Sequence, residues 1–157
     1  MVTHPHDETA LPLRLASWPG FGAKHNHFVS VFLTGLHQAG CEITSIESAE
    51  ALTGQAPDIL LLHWAERVFG ESTGRVQALR KIAAVLRALS SRGAGTKAVW
   101  LVHNLAPHDA RPLQRLVWRP YVNAIARGVD GFMTLSPGTV ASVRAALPGL
   151  AGKPGLG

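Results

Sequence analysis

Two apolar runs in this chain end in histidine with a carboxylate close by, and these are the groups best suited to chemistry. The segment Lys97–Asp109, KAVWLVHNLAPHD, is apolar from Ala98 through Val102 and stops at His103-Asn104, with Pro107, His108 and Asp109 just behind. Asp58–Glu66, DILLLHWAE, repeats the design, with apolar residues followed by His63, Trp64 and Glu66. A histidine titrating near neutrality can act as a general base or pair with a phosphate, and a carboxylate can take a proton from a hydroxyl. His103 and Asn104 could simply cap a strand and Asp109 a helix. The clustering of His103, Asn104, His108 and Asp109 within one short segment exceeds what capping requires. Trp64 beside His63 and Glu66 is either hydrophobic cover or a stacking surface for a sugar ring whose hydroxyls the neighbours bond. Glu66 is equally readable as a base or as a surface residue.

Groups like these need strands that end side by side. In an α/β domain a short apolar run is a buried parallel strand, and ligands collect at its carboxyl end. Strands are expected at Leu13–Ser17, around Ile43 and Ile46, at Asp58–His63, at Lys97–His103 and at Gly131–Leu135. Between them, Asn26–Ala39 carries apolar residues at helical spacing and Gly40 is a natural stop. Glu47–Gly54 reads as a helical turn. Gly74 to Ser91 reads as a helix whose apolar stripe is Val76, Leu79, Ile82, Ala83, Leu86 and Leu89. Pro112 opens a further helix, which Pro120 should kink or break in two. Ser136-Pro137 reads as a cap and first turn of the last helix. Pro148–Gly157, rich in glycine and proline, reads as a flexible tail, and residues 1–12 as a disordered leader. The alternation predicts a Rossmann-like α/β domain over 13–147, with a parallel sheet and helices on both faces.

Composition narrows the partners. The chain has 157 residues, one cysteine, and 15 lysines and arginines against 10 acids, a formal net charge of +5. That is the size of one domain with a real core. The single Cys41 forbids an internal disulfide, which agrees with a cytoplasmic setting. No apolar run approaches the ~18 residues of a membrane span, and the N-terminus does not read as a signal peptide. The basic balance suits nucleic acid, an anionic membrane or phosphorylated ligands. Nucleic acid is disfavoured because no module signature is present. The arginines of 75–92, with Arg111, Arg115, Arg119 and Arg127, are either a solvated face or a docking surface for anionic lipid assisted by Trp118 and Tyr121.

Other chemistries fit poorly. His4-x-His6 and His25-x-His27 lack a third ligand at a recognised spacing, so no metal site is expected. There is no G-x-S-x-G elbow and no Walker A sequence. Gly20-Phe21-Gly22, after the first strand, occupies the position where nucleotide folds cradle phosphate, and Lys24, His25 and His27 make it basic.

These segments together resemble the N-terminal half of bacterial GT-B glycosyltransferases. The likeness rests on a strand ending in Trp18-Pro19, on DILLLHWAE, on VWLVHNLAPHD and on Thr134-Leu135-Ser136-Pro137. It is nearest to exopolysaccharide-type enzymes, including GDP-mannose-dependent mannosyltransferases, and covers about Leu13 to Pro154. VHNLAPHD is its specific part. The resemblance implies transfer of a hexose from a nucleotide-sugar, as substrate and with no cofactor, to a saccharide or glycolipid acceptor. His63, Trp64, Asn104 and His108 would then line the acceptor side. His103, Asp109 and Glu66 would be the catalytic candidates, and Gly20, Phe21 and Gly22 would approach the donor phosphates. The sequence at Lys24–Phe28 departs from the family, where something nearer Asn-Pro-Tyr is expected. The resemblance also implies a second, donor-gripping domain beyond Gly157 or on a partner chain, and a site of action at the inner face of the membrane. The alternative is a non-catalytic sugar- or partner-binding module derived from the same fold. For either reading His63, Glu66, His103 and Asp109 must gather in one cleft.

Overall fold

The computed structural model describes residues 11–21, 27–69, 74–105 and 112–157. Six strands form one parallel sheet: β1 (Arg14–Trp18), β2 (Glu42–Ser45), β3 (Ile59–Leu62), β4 (Lys97–Val102), β5 (Gly131–Thr134) and β6 (Gly155–Leu156). Four helices connect them: α1 (His27–Gln38), α2 (Arg75–Ser91), α3 (Pro112–Gly128) and α4 (Thr139–Ala146). The fold is the Rossmann-like α/β class expected from the alternation. The strand order is β2-β1-β3-β4-β5-β6. The chain therefore leaves β1 in one direction and β3 in the other, which makes the crevice between their carboxyl ends the topological switch point.

Strand alternation assigns each side chain to a face. Ala16, Trp18, Leu60, Leu62, Ala98, Trp100, Val102 and Phe132 join the larger core, which α2, α3 and α4 cover. Leu15, Leu61 and Leu101 face the other way and pack on Val29 and Leu33 of α1. α1 stops where expected, at Gly40, whose φ of 90° favours glycine.

Four expectations need correction. In α2 the buried stripe is Ala78, Ile82, Val85, Ala88 and Leu89, whereas Val76 and Leu79 are 65% and 57% exposed. Both stripes have helical spacing. The small Ala78 and Ala88 face inward, allowing α2 to lie close to the 3-10 turns at Ala49–Leu52 and Ala65–Phe69. Pro120 does not divide α3, which runs unbroken from Pro112 to Gly128. Pro120 and Leu116 lie on the exposed side of α3, the side on which a carbonyl left unpaired by proline is least costly. Ser136 does not cap α4 with its side chain. Gly138 holds the N-cap position, and the Ser136 carbonyl accepts from the Thr139 backbone and hydroxyl.

The fourth correction concerns Pro148–Gly157, which is not a flexible tail. It forms a 3-10 turn at Pro148–Leu150 and the edge strand β6, and Leu150 is fully buried. Two of its glycines serve close contact: a Cβ on Gly155 would sit 2.5 Å from the Phe132 ring, and one on Gly149 3.1 Å from the Ala126 backbone. Lys153 Nζ donates to the carbonyls of Ala126 (2.7 Å), Arg127 (2.8 Å) and Val129, neutralising the open end of α3. Of the leader, residues 1–10 lie outside the described residues. Leu150→Ala is expected to cost about 2–5 kcal/mol, read from the urea midpoint, because it removes a buried side chain from a packed core. A flexible tail would leave the midpoint unchanged.

Candidate functional site

β3 and β4 each deliver a histidine to the same end and face of the sheet. Ile59, Leu61 and His63 alternate onto the α1 side, as do Val99, Leu101 and His103, and each histidine is the first residue past its strand. The His63 backbone N–H donates to the Trp18 carbonyl at 2.8 Å, tying the ends of β1 and β3 together at the switch point. The two imidazoles stack with ring centroids 5.9 Å apart. Phe28 of α1 meets His103 edge-on at 5.2 Å, Phe32 meets His63 at 5.9 Å, and Trp64 lies 4.9 Å from His103.

This is an apolar setting for polar rings. His63 has no exposed surface, and among the described residues neither of its ring nitrogens has a hydrogen-bond partner, nor does His103 Nε2. Burial, together with the proximity of His103, pushes His63 down to about 3. Burial pushes His103 down to about 4. Both rings are therefore neutral at pH 7, and His103 is a poorer base there than an ordinary histidine.

The polar crest of the site lies just above them. Asn104 Nδ2 donates to Glu66 Oε1 at 2.8 Å, joining the segments that follow β3 and β4. Both residues are half-buried. Beneath them, the buried Tyr121 hydroxyl has no partner among the described residues. Burial and the Glu66 charge both raise its pKa above the usual phenolic range. Trp118 Nε1 donates to the Leu105 carbonyl at 3.0 Å, so α3 anchors the loop that leaves Asn104. Trp118 and Tyr121 are 4% and 2% exposed. They are core residues, not the lipid-facing aromatics that the sequence suggested.

The turn after β1 packs differently from a phosphate cradle. The Gly20 N–H donates to the Ile46 carbonyl and the Phe21 N–H to Ser45 Oγ, both at 2.9 Å. Ser45 Oγ donates on to Glu47 Oε1. A Cβ on Gly20 would lie 1.8 Å from Ser45 Oγ, so glycine serves close approach to β2. A phosphate would have to displace these bonds to use either N–H. Gly22, Lys24, His25, His108 and Asp109 lie outside the described residues.

His63, Trp64, His103, Asn104 and Glu66 are thus brought together, while Gly20 and Phe21 sit apart on the β2 side. The sequence reading missed Phe28 and Phe32 as the cover of the histidines, and Tyr121 as the floor beneath Glu66. The parity of His63 with Ile59 and Leu61 was the available signal for burial. Among the described residues no three His, Cys, Asp or Glu side chains gather to hold a metal ion. The assembly defines an α/β domain with a histidine-backed carboxylate–amide pair at the switch-point edge of its sheet. No protein-family profile, curated protein or solved structure matches the chain.

The depressed histidine pKa values have a consequence for stability. The unfolded chain takes up two protons near pH 6.5 that the folded chain refuses until pH 4 to 3. Stability is therefore undiminished above pH 6.5 and falls as pH drops through that window, by roughly 2 kcal/mol per histidine at pH 5. His63→Leu is expected to keep or raise the urea midpoint at pH 7.5, since it removes unpaired buried nitrogens, and to flatten the loss between pH 7.5 and 5. A lowered midpoint at pH 7.5 with unchanged acid sensitivity would contradict this.

Proposed function

We propose that the chain is the acceptor-side domain of a GT-B glycosyltransferase, acting where a hexose passes from a nucleotide-sugar to a saccharide or glycolipid acceptor. The resemblance of VHNLAPHD and DILLLHWAE to that family supports the reading, and the parallel sheet is the fold it requires. The observation that carries it is the Glu66–Asn104 pair, set beside Trp64 and His103 at the carboxyl edge. In an inverting reaction the acceptor hydroxyl gives its proton to a carboxylate, its oxygen bonds the anomeric carbon, and the nucleoside diphosphate departs with the bonding pair. Glu66 is the described residue suited to accept that proton, with its carboxylate oriented by Asn104. Trp64 offers its indole to the sugar face, and His103 backs the site as a neutral hydrogen-bonding ring. Asp109 and His108 retain the roles the resemblance gives them. The nucleotide grip belongs to a second domain or a partner chain.

A second reading, a non-catalytic sugar-binding module, is favoured by the weak basicity of the buried histidines and by the engaged N–H groups of Gly20 and Phe21. Calorimetric titration with a mannose disaccharide and with GDP-mannose tests both. The disaccharide is expected to bind, and Trp64→Ala to weaken it about tenfold, the worth of one aromatic contact. Glu66→Gln is expected to leave that affinity within about threefold, because a base acts on the proton rather than on binding. Failure of a panel of hexose disaccharides to bind at millimolar concentration would overturn both readings.

A further inference from the structure

The misassigned stripe of α2 leaves an unusual surface. α2 and α3 contain no aspartate or glutamate. Val76 and Leu79 stand 65% and 57% exposed on the outer side of α2, and Leu116 stands 72% exposed on the outer side of α3. Arg80 lies one turn from Val76, and Arg119 one turn from Leu116, both exposed. Neither arginine, nor the exposed Arg75, has a hydrogen-bond or ion-pair partner among the described residues.

The topology fixes where this surface lies. α2 returns from β3 to β4 and α3 from β4 to β5, all in parallel register, so both helices run antiparallel to the strands. Their first halves, which hold Val76, Leu79, Arg80, Leu116 and Arg119, therefore stand at the carboxyl edge of the sheet. That is the edge of the Glu66–Asn104 pair. The positive ends of both helix dipoles point the same way. Aliphatic side chains interleaved with unpaired arginines, free of acids, match an anionic lipid interface, where the arginines meet headgroup phosphates and the aliphatics enter the acyl boundary. A nucleic acid would use the arginines but leave three aliphatic side chains unsatisfied, and the aromatic rings of α3 itself, Trp118 and Tyr121, are buried. No helix among the described residues is long and apolar enough to cross a membrane, so the contact would be peripheral.

We propose that the outer face of α2 and α3 around Val76, Leu79, Arg80, Leu116 and Arg119 docks on an anionic phospholipid bilayer. The docking holds the carboxyl edge of the sheet beside the headgroups. It is an interaction surface separate from the sugar site, so the two are tested apart. The test is co-sedimentation of the full chain with phosphatidylglycerol–phosphatidylcholine vesicles, with pure phosphatidylcholine vesicles, and with a single-stranded oligonucleotide as competitor.

Binding is expected on the anionic vesicles only, falling as salt rises. Val76→Ser/Leu79→Ser/Leu116→Ser should lower partitioning about tenfold or more, and Arg80→Gln/Arg119→Gln should do likewise. All five positions are exposed, so circular dichroism and the urea midpoint should stay unchanged. Equal binding to uncharged vesicles, no binding to either, insensitivity to the aliphatic triple variant, or displacement by the oligonucleotide at equal phosphate concentration would each overturn the proposal. None of these outcomes bears on disaccharide affinity, which fails or holds by itself.

Discussion

The insertion of β3 between β1 and β4, all parallel, is the constraint on which the rest of the structure depends. It creates the switch point, because α1 must then cross toward β2 and α2 toward β4. It also sets parity. Once Leu60 and Leu62 are committed to the larger core, Ile59, Leu61 and His63 have to face α1. β4 follows in register, and His103 reaches the same layer. Neither ring nitrogen of His63 has a partner among the described residues, so no ring bond places it. Both histidines are placed by the apolar residues two and four positions earlier in each strand.

That origin explains the division of labour at the carboxyl edge. The rings lie under Phe28, Phe32 and Trp64, and burial, complete for His63 and partial for His103, keeps them neutral at pH 7. An unpaired buried imidazole costs stability. The next residues along the chain escape the layer. Asn104 and Glu66 reach the half-buried crest and bond each other, where a ligand could meet them. Proton chemistry therefore sits one residue beyond the histidines, and the histidines act as a rigid apolar backing with polar edges.

Much of the sheet was legible in the sequence because parallel strands are continuous apolar runs bounded by turn residues, and DILLL and KAVWLV are such runs. Gly40 was legible as a helix stop for a backbone reason, its left-handed φ. What failed was judged on composition or on one-dimensional spacing. Pro148–Gly157 looks like a linker, yet Gly155 is required by the Phe132 ring and Gly149 by its close approach to the Ala126–Arg127 backbone, both distant in sequence. The two stripes of α2 have the same period, and only the neighbouring 3-10 turns decide between them. At the site, the gathering of His63, Trp64, Glu66, His103 and Asn104 was readable from matching strand ends. Burial of the histidines was readable from parity alone. The engagement of Gly20 and Phe21 by Ser45 and Ile46 was not, since it depends on how β2 sits against β1.

The most direct test of this account is the protonation state of the two imidazoles, read from their ring nitrogen shifts by NMR between pH 7.5 and 4.5. Burial under α1 predicts that His63 and His103 stay neutral at pH 5. If both rings instead gain protons close to pH 6.5, they face water, the shared parity of β3 and β4 does not bury them, and the carboxyl edge is built differently from the one described.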